Sequence, residues 1–232
     1  AEGTSGTADF SNAGITDAVA KFASTDGTLT TNFKAATAHD ADIAVVVTGA
    51  AKVAQAAAIV DHTAEGTSGT ADFSNAGLSD AVAAFASTTG TLTDNFKSAT
   101  AHDADVNVVV TGTAKVAQAA AIVNDGAEGT SGTADFSNAG ITDAIASMIN
   151  AGNNGVHADL ASIIGHDGNV GITSNNGGSV AQINFIKGAT GYTGVITATM
   201  TDDAANLANL NTDTDDQLTL NLNAGTATAT DL

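Results

Sequence analysis

Apolar residues recur along this chain in two alternating rhythms. The first is a period of two. Asp42–Thr48 reads D-I-A-V-V-V-T, with Ile43, Val45 and Val47 on one face and Ala44, Val46 and Thr48 on the other. That spacing and its β-branched content predict a strand. In the matching stretch 63 residues later Ala44 becomes Asn107, while Val106, Val108 and Val110 stay apolar. The 43/45/47 face is therefore the buried one. The rhythm then changes to 3.6. AAKVAQAAAIV (50–60) predicts a helix with Val53, Ala56, Ala57 and Val60 on its inward stripe and Lys52, Gln55 and Ile59 off it. GTADFSN (6–12) predicts a short strand, and ITDAVAKFA (15–23), after an Asn-Ala-Gly turn, predicts a helix. Ile15, Ala18, Val19 and Phe22 form the apolar stripe of that helix, with Asp17 and Lys21 as an exposed i, i+4 pair. Gly27 stops the region, and Leu29, Phe33 and Ala36 predict further helical turns in the linker 28–42. Strand starts are expected near residues 6, 43, 69, 106, 132, 169, 195 and 217.

The pattern repeats because the sequence repeats. Residues 1–63 and 64–126 are identical at 51 of 63 positions without a gap. A third copy (127–194) follows through Ala144 and then drifts, keeping Val180-Ala181-Gln182 where the others have Val53-Ala54-Gln55 and Val116-Ala117-Gln118. Residues 195–232 read as a partial fourth copy, in which ITATMTDDAANLANL (196–210) is a diverged form of GTADFSNAGITDAV. Strand–helix–strand units of this length favour parallel strands and right-handed crossovers, and near-identical units see near-identical neighbours. The expected fold is an α/β solenoid continuous over all four segments, with parallel strands on one side, helices on another, and open ends. Ala50–Val60 favours helix too strongly for an array of β-sandwiches. Neither 1–14 nor LTLNLNAGTATATDL (218–232) reads as a polar cap, so the expectation is a chain that continues or stacks head-to-tail on copies of itself.

Composition narrows the function. Among 232 residues there are 25 acidic side chains, six lysines and no arginine, for a net charge of −19. Six scattered lysines make no basic patch, so nucleic acid is excluded as a partner, and an anionic membrane surface would repel the chain. No apolar run approaches the ~18 residues of a membrane span, which predicts no membrane insertion. With no cysteine, disulfides and thiol chemistry are absent. The core must be aliphatic, because only 4% of residues are aromatic.

VVVTGAAKVAQAAAI (45–59) together with ITATMTDDAANLANL (196–210) resembles the repeats of giant secreted surface proteins of marine bacteria. Arrays of this kind occur in large adhesins, S-layer-like proteins and swimming-linked surface proteins of marine cyanobacteria. The resemblance implies an extracellular, cell-surface location and a non-enzymatic role. The GGxGxDxUx nonapeptides of calcium-loaded repeats are missing.

The candidate chemistry is carboxylate chemistry. His39-Asp40-Ala41-Asp42 recurs as His102-Asp103-Ala104-Asp105, with His166-Asp167-Gly168-Asn169 as a looser echo, and Asp213, Asp215 and Asp216 crowd one turn. Calcium takes several oxygens in a flexible loop, which makes Asp40, Asp42, Asp103, Asp105, Asp213, Asp215 and Asp216 its candidate ligands; no other cofactor is implied. The competing reading is a set of polar turns whose aspartates bond to backbone. Asp202-Asp203 reads as a helix N-cap. Asp9, Asp72 and Asp135, with Asn12, Asn75 and Asn138, read as polar ladders satisfying turns. Ser5, Ser68 and Ser131 sit in G-T-S-G, which is not a nucleophile elbow. T-x-T pairs such as Thr28/Thr30 and Thr197/Thr199 do not recur at uniform positions, as an ice-binding face would require.

These readings converge on a structural building block of an extracellular assembly, namely a filament, sheath or S-layer-like array. The alternative is a rigid stalk or adhesion module of a giant adhesin, stiffened by calcium and in contact with cell-surface polysaccharide. An enzyme acting on acidic sugars would need basic and aromatic groups that no Arg, no Trp and one Tyr cannot supply.

Overall fold

The computed structural model describes residues 9–10, 13–61, 63, 65–74, 77–124 and 129–223. Among them it is a mixed α/β fold with three parallel sheets, ten helices and no closed barrel.

Two kinds of pass alternate along the chain. The first kind pairs a strand with a four-residue helix and then a nine-residue helix. These are β1 (Ile15–Ala18), α1 (Val19–Phe22) and α2 (Thr31–His39); β4 (Leu78–Ala81), α4 (Val82–Phe85) and α5 (Asp94–His102); and β7 (Ile141–Asp143), α7 (Ile145–Met148) and α8 (Ala158–His166). The second kind pairs a strand with one eight-residue helix: β2 (Val45–Thr48) and α3 (Val53–Val60), β5 (Val108–Thr111) and α6 (Val116–Val123), β8 (Ile172–Ser174) and α9 (Val180–Lys187). Two short strands, β3 (Ala71–Asp72) and β6 (Ala134–Asp135), precede β4 and β7. The last described elements are β9 (Ile196–Asp202), α10 (Ala204–Leu207) and β10 (Gln217–Leu222).

Every strand pairing is parallel. The sheets run β1-β2-β3, β4-β5-β6 and β7-β8-β9-β10. Val45 stands opposite both Ile15 and Ala71, and Val108 opposite both Leu78 and Ala134. Single parallel bridges, Ala51 to Leu78 and Ala114 to Ile141, link one sheet to the next. Ile43, Val45 and Val47 are at most 1% exposed, as are Val106, Val108 and Val110. The opposite face carries Asn107, whose Oδ1 accepts from the Thr133 amide and hydroxyl at 2.8 Å.

Two sequence expectations are corrected. Residues 15–23 do not form one helix: Ile15–Ala18 is a strand and only Val19–Phe22 is helical. Gly14, at φ +60, turns the chain so that the Ile15 amide donates to Ala44 O at 2.8 Å, and a ladder bond to a neighbouring pass overrides local preference. Asp17 and Lys21 are consequently not a helical i, i+4 pair. The second correction concerns α3. Gln55 and Ile59, assigned off the inward stripe, are 4% and 0% exposed. α3 packs against α1, α4 and α5, so more of its surface is buried than a single inward stripe. The predicted strand 6–12 falls largely outside the described residues; its counterparts 71–72 and 134–135 are strands.

Side chains staple one pass to the next. Gln55 receives the Lys52 amide on Oε1 at 3.0 Å and donates from Nε2 to Ala23 O at 2.8 Å. Gln118 does the same with Lys115 and Ala86. Phe22 meets Phe33, and Phe85 meets Phe96, edge to face with centroids 5.1 Å apart. Thr30 and Thr93 cap α2 and α5, accepting from the amides of Phe33 and Phe96; that is the use of these T-x-T threonines.

The G-T-S-G glycines permit close approach. A Cβ on Gly69 would stand 2.5 Å from both Asp42 O and Ile43 O, whereas one on Gly49, at φ +81, would meet nothing within 4 Å. Gly69→Ala is therefore expected to destabilise by more than about 4 kcal/mol, and Gly49→Ala by only about 1–2 kcal/mol through its left-handed backbone. Urea denaturation of the two variants compares the costs directly; equal losses would refute the close-packing role of Gly69.

Candidate functional site

The recurrent His-Asp motif closes the nine-residue helices. His39, His102 and His166 are the last residues of α2, α5 and α8, and Asp40, Asp103 and Asp167 are their C-caps. Each aspartate reaches about thirty residues back along the chain. Asp40 Oδ2 accepts from the Phe10 amide at 2.7 Å, Asp103 Oδ2 from Phe73 at 2.6 Å, and Asp167 Oδ2 from Phe136 at 2.7 Å. Phe73 and Phe136 are fully buried, so their N–H groups need a partner inside the protein. The carboxylate supplies it.

The second carboxylate of the motif varies. Asp42 Oδ1 accepts from the Ser68 hydroxyl at 2.6 Å. Asp105 instead lies beside Asp103, and the pair shares a hydrogen bond. Burial, and then that Asp105 contact, push the Asp103 carboxyl up to about 6 against the pull of the Phe73 amide. Burial likewise raises Asp167. In copy three the second position is Asn169, so no like charge stands there.

The acidic turn 213–216 is occupied by an ammonium group. Lys187, with its side chain 6% exposed, places Nζ 2.8 Å from Asp213 Oδ2 and 3.0 Å from Asp216 Oδ2, with the Tyr192 ring centroid 5.7 Å away. Asp216 also accepts from the amides of Ile196 at 2.9 Å and Asp213 at 2.8 Å. Burial opposes the charge on Lys187 and on Asp216, but these bonds outweigh it, leaving the lysine above and the aspartate below its ordinary value. Asp215 is exposed and touches the Thr214 hydroxyl at 3.5 Å.

The seven candidate calcium ligands are thus divided among three places. Of these, Asp40, Asp42, Asp103, Asp213 and Asp216 already hold protein hydrogen-bond donors. Among the described residues no three His, Asp or Glu side chains converge as a metal cage.

Other assignments resolve locally. Asp72 and Asp135 accept from the amide and hydroxyl of Ser74 and Ser137, closing their own turns instead of forming ladders between passes. Asn12, Asn75 and Ser5 lie outside the described residues. Ser68 and Ser131 donate to Ala41 O and Ala104 O. Asp203 occupies the N-cap of α10 without a side-chain capping bond. Asp202 instead accepts from the Val180 amide at 3.1 Å, at the start of α9.

That last contact belongs to a series absent from the sequence reading. Asp80 Oδ2 accepts from the Val53 amide and Asp143 Oδ2 from Val116, each at 3.2 Å. A carboxylate on one pass therefore sits at the N-terminus of the helix on the pass before, where the helix dipole favours it. The signal available in the sequence was the strand-like T-D or S-D pair preceding each four-residue helix. Gly191-Tyr192-Thr193-Gly194 is likewise a fourth, diverged occurrence of G-T-S-G: Thr193 donates to Gly168 O as Ser68 does to Ala41 O.

Two surface grooves recur one repeat apart. One, of about 420 Å³, has Gly27, Ala54 and Ala57 in its wall; the other, of about 280 Å³, has Gly90, Ala117 and Ala120. Carboxylates and hydroxyls line them too, Asp26, Asp94 and Ser98 in the first and Asp159 and Ser162 in the second. Compared with known proteins, the chain matches no family model, no curated protein and no solved structure.

Two predictions follow the charges. A raised carboxyl contributes stability that is complete below its unfolded value near 3.8 and is lost as pH rises through about 6. Melting temperature should therefore rise on acidification from pH ~7 to ~5, less so in Asp103→Asn than in the exposed control Asp215→Asn. Equal slopes would remove Asp103 as the source. Asp202 and Asp216, held low, act oppositely and only below that window. Lys187→Met leaves the buried Asp216 carboxylate without its counter-ion, and at neutral pH should cost about 3–5 kcal/mol in a urea titration. A loss below about 1 kcal/mol, the scale of a surface pair, would contradict that burial.

Proposed function

We propose that this chain is a non-catalytic structural module, an open α/β solenoid that serves as a building block of an extracellular surface assembly such as a filament, sheath or S-layer-like array. The observation that carries the reading is what the recurrent polar residues do. Asp40, Asp103 and Asp167, Gln55 and Gln118, and Asp80, Asp143 and Asp202 all bond to the backbone of a neighbouring pass. These recurrent side chains join successive turns of chain. Strong acidity suits a saline exterior, because the Debye length shrinks from ~10 Å at 0.1 M to ~3 Å at 1 M and like-charged modules can then pack.

The same stapling supports a second reading, a rigid stalk within a giant adhesin. The recurrence of the groove beside α3 and α6 favours a periodic partner such as cell-surface polysaccharide in that case. Electron micrographs of purified protein at high salt separate the two readings. Ordered filaments or sheets are expected for the assembly; single short rods at every salt and protein concentration would overturn it and leave the stalk.

A further inference from the structure

Lys187 is unlike the other lysines that meet a carboxylate. The side chains of Lys34, Lys52 and Lys115 are 44, 42 and 38% exposed, and that of Lys187 is 6% exposed. Asp216, which it faces, is 2% exposed. Taking both members of an ion pair out of water is costly, and this is done here with one of only six lysines in the chain.

The atoms around the pair are arranged for chemistry. Nζ stands 3.1 Å from Asp216 Oδ1 and 3.0 Å from Oδ2. An amine so nearly equidistant from both oxygens is within reach of the carbon between them, at the roughly 3–3.5 Å of a near-attack geometry. Each oxygen also accepts a main-chain amide, Oδ1 that of Ile196 at 2.9 Å and Oδ2 that of Asp213 at 2.8 Å. Fixed N–H groups of this kind stabilise a developing oxyanion. A second carboxylate completes the set: Asp213 Oδ2 is 2.8 Å from Nζ, on a side chain that is 67% exposed. Gly194 O, at 3.3 Å, also accepts from Nζ, and the buried Tyr192 ring lies 5.7 Å away.

We propose that Lys187 and Asp216 condense after folding into an intramolecular amide bond between Nζ and Cγ, with Asp213 as proton carrier. The pair starts ionised, because its hydrogen bonds hold the lysine above and the aspartate below its ordinary value. Asp213 takes one proton from the ammonium, and the freed lone pair attacks Asp216 Cγ. Charge develops on Oδ1, against the Ile196 amide. The nitrogen then releases a second proton, Oδ2 receives both and leaves as water, and Asp213 is a carboxylate again. The Nζ–Cγ bond forms as the Cγ–Oδ2 bond breaks. The ion pair holds every proton the step needs, no oxidation state changes and no co-reactant takes part. The first proton leaves a stabilised ammonium, so the reaction is slow and follows folding. Its product is neutral, which removes two charges from the interior.

Lys187 ends α9 and Asp216 directly precedes β10. The bond closes residues 187–216 into a covalent loop, in a chain that has no cysteine for a disulfide. Like a disulfide, it restricts the unfolded chain. The inference goes beyond the structural reading above and holds whether or not the module assembles.

Intact-mass spectrometry of the whole chain, with peptide mapping, tests the bond. Wild type is expected to weigh one water less than its sequence, and digestion should yield a branched peptide joining Lys187 to Asp216. Lys187→Arg and Asp216→Ala should keep their full mass. Asp213→Ala leaves both bonding partners in place and should also keep its full mass, because the proton carrier is gone. Asp216→Asn should lose ammonia in place of water, a change of leaving group that a purely structural ion pair does not produce. A wild type at full mass would overturn the inference while leaving the ion pair and the structural function standing. Water loss mapped to a succinimide at an Asp-Gly step such as Asp26-Gly27 would overturn it too, as would a deficit that persists in Asp216→Ala. Undiminished water loss in Asp213→Ala would overturn the role given to Asp213.

Discussion

Buried main-chain groups between adjacent passes are the constraint on which this structure depends. An N–H such as that of Phe73 or Phe136 belongs to a residue with no surface exposed to water. An unpaired amide there would cost about 1–3 kcal/mol. The chain answers at a distance of roughly one pass, with the C-cap aspartate of a nine-residue helix. The same logic repeats at Gln55 and Gln118, which satisfy Ala23 O and Ala86 O, and at Thr67 and Thr130, fully buried, whose hydroxyls donate to Ile43 O and Val106 O. Each pass is incomplete until its neighbour forms.

Small side chains make those bonds reachable. Helices α3 and α6 are mostly alanine and valine, and G-T-S-G brings backbone against backbone at Gly69. The core that results is narrow and aliphatic, with five phenylalanines fully buried as its largest side chains. Helices flanked on both sides have no broad polar face, so α3 buries Gln55 as well as Ile59. The buried glutamine is tolerable because both ends of its amide are bonded.

Charge is managed locally. Lys34 meets Glu65, Lys52 and Lys115 meet Asp80 and Asp143, and Lys187 meets Asp213 and Asp216. The Lys187 group differs from the others because lysine and Asp216 are both buried, and it lies where the third copy has diverged most from the first two. Ten of the 21 described acidic residues are exposed, and the repulsion that a net charge of −19 sets up weakens as salt screens the field.

Much of this was legible in the amino-acid order, because a local cause was sufficient. Strands at 45, 108 and 217 and helices at 53 and 116 follow from periodicity and composition, and the Ala44/Asn107 substitution alone identified the buried face. The acidic clusters were legible as residues but not as contacts: Asp40 and Asp103 look like calcium ligands in a string, and only their distance to Phe10 and Phe73 makes them hydrogen-bond acceptors. Residues 15–18 were misread as helix for the same kind of reason. Alanine, valine and phenylalanine after Asp17 have ordinary helical preference, and it took the Ala44 carbonyl, 29 residues away, to hold Ile15 in a ladder. Local sequence determined which segments are apolar, where chain reversals occur and how the units repeat. The tertiary structure alone decided which polar groups face one another across passes, because those pairings depend on the stacking register and no local pattern encodes that register.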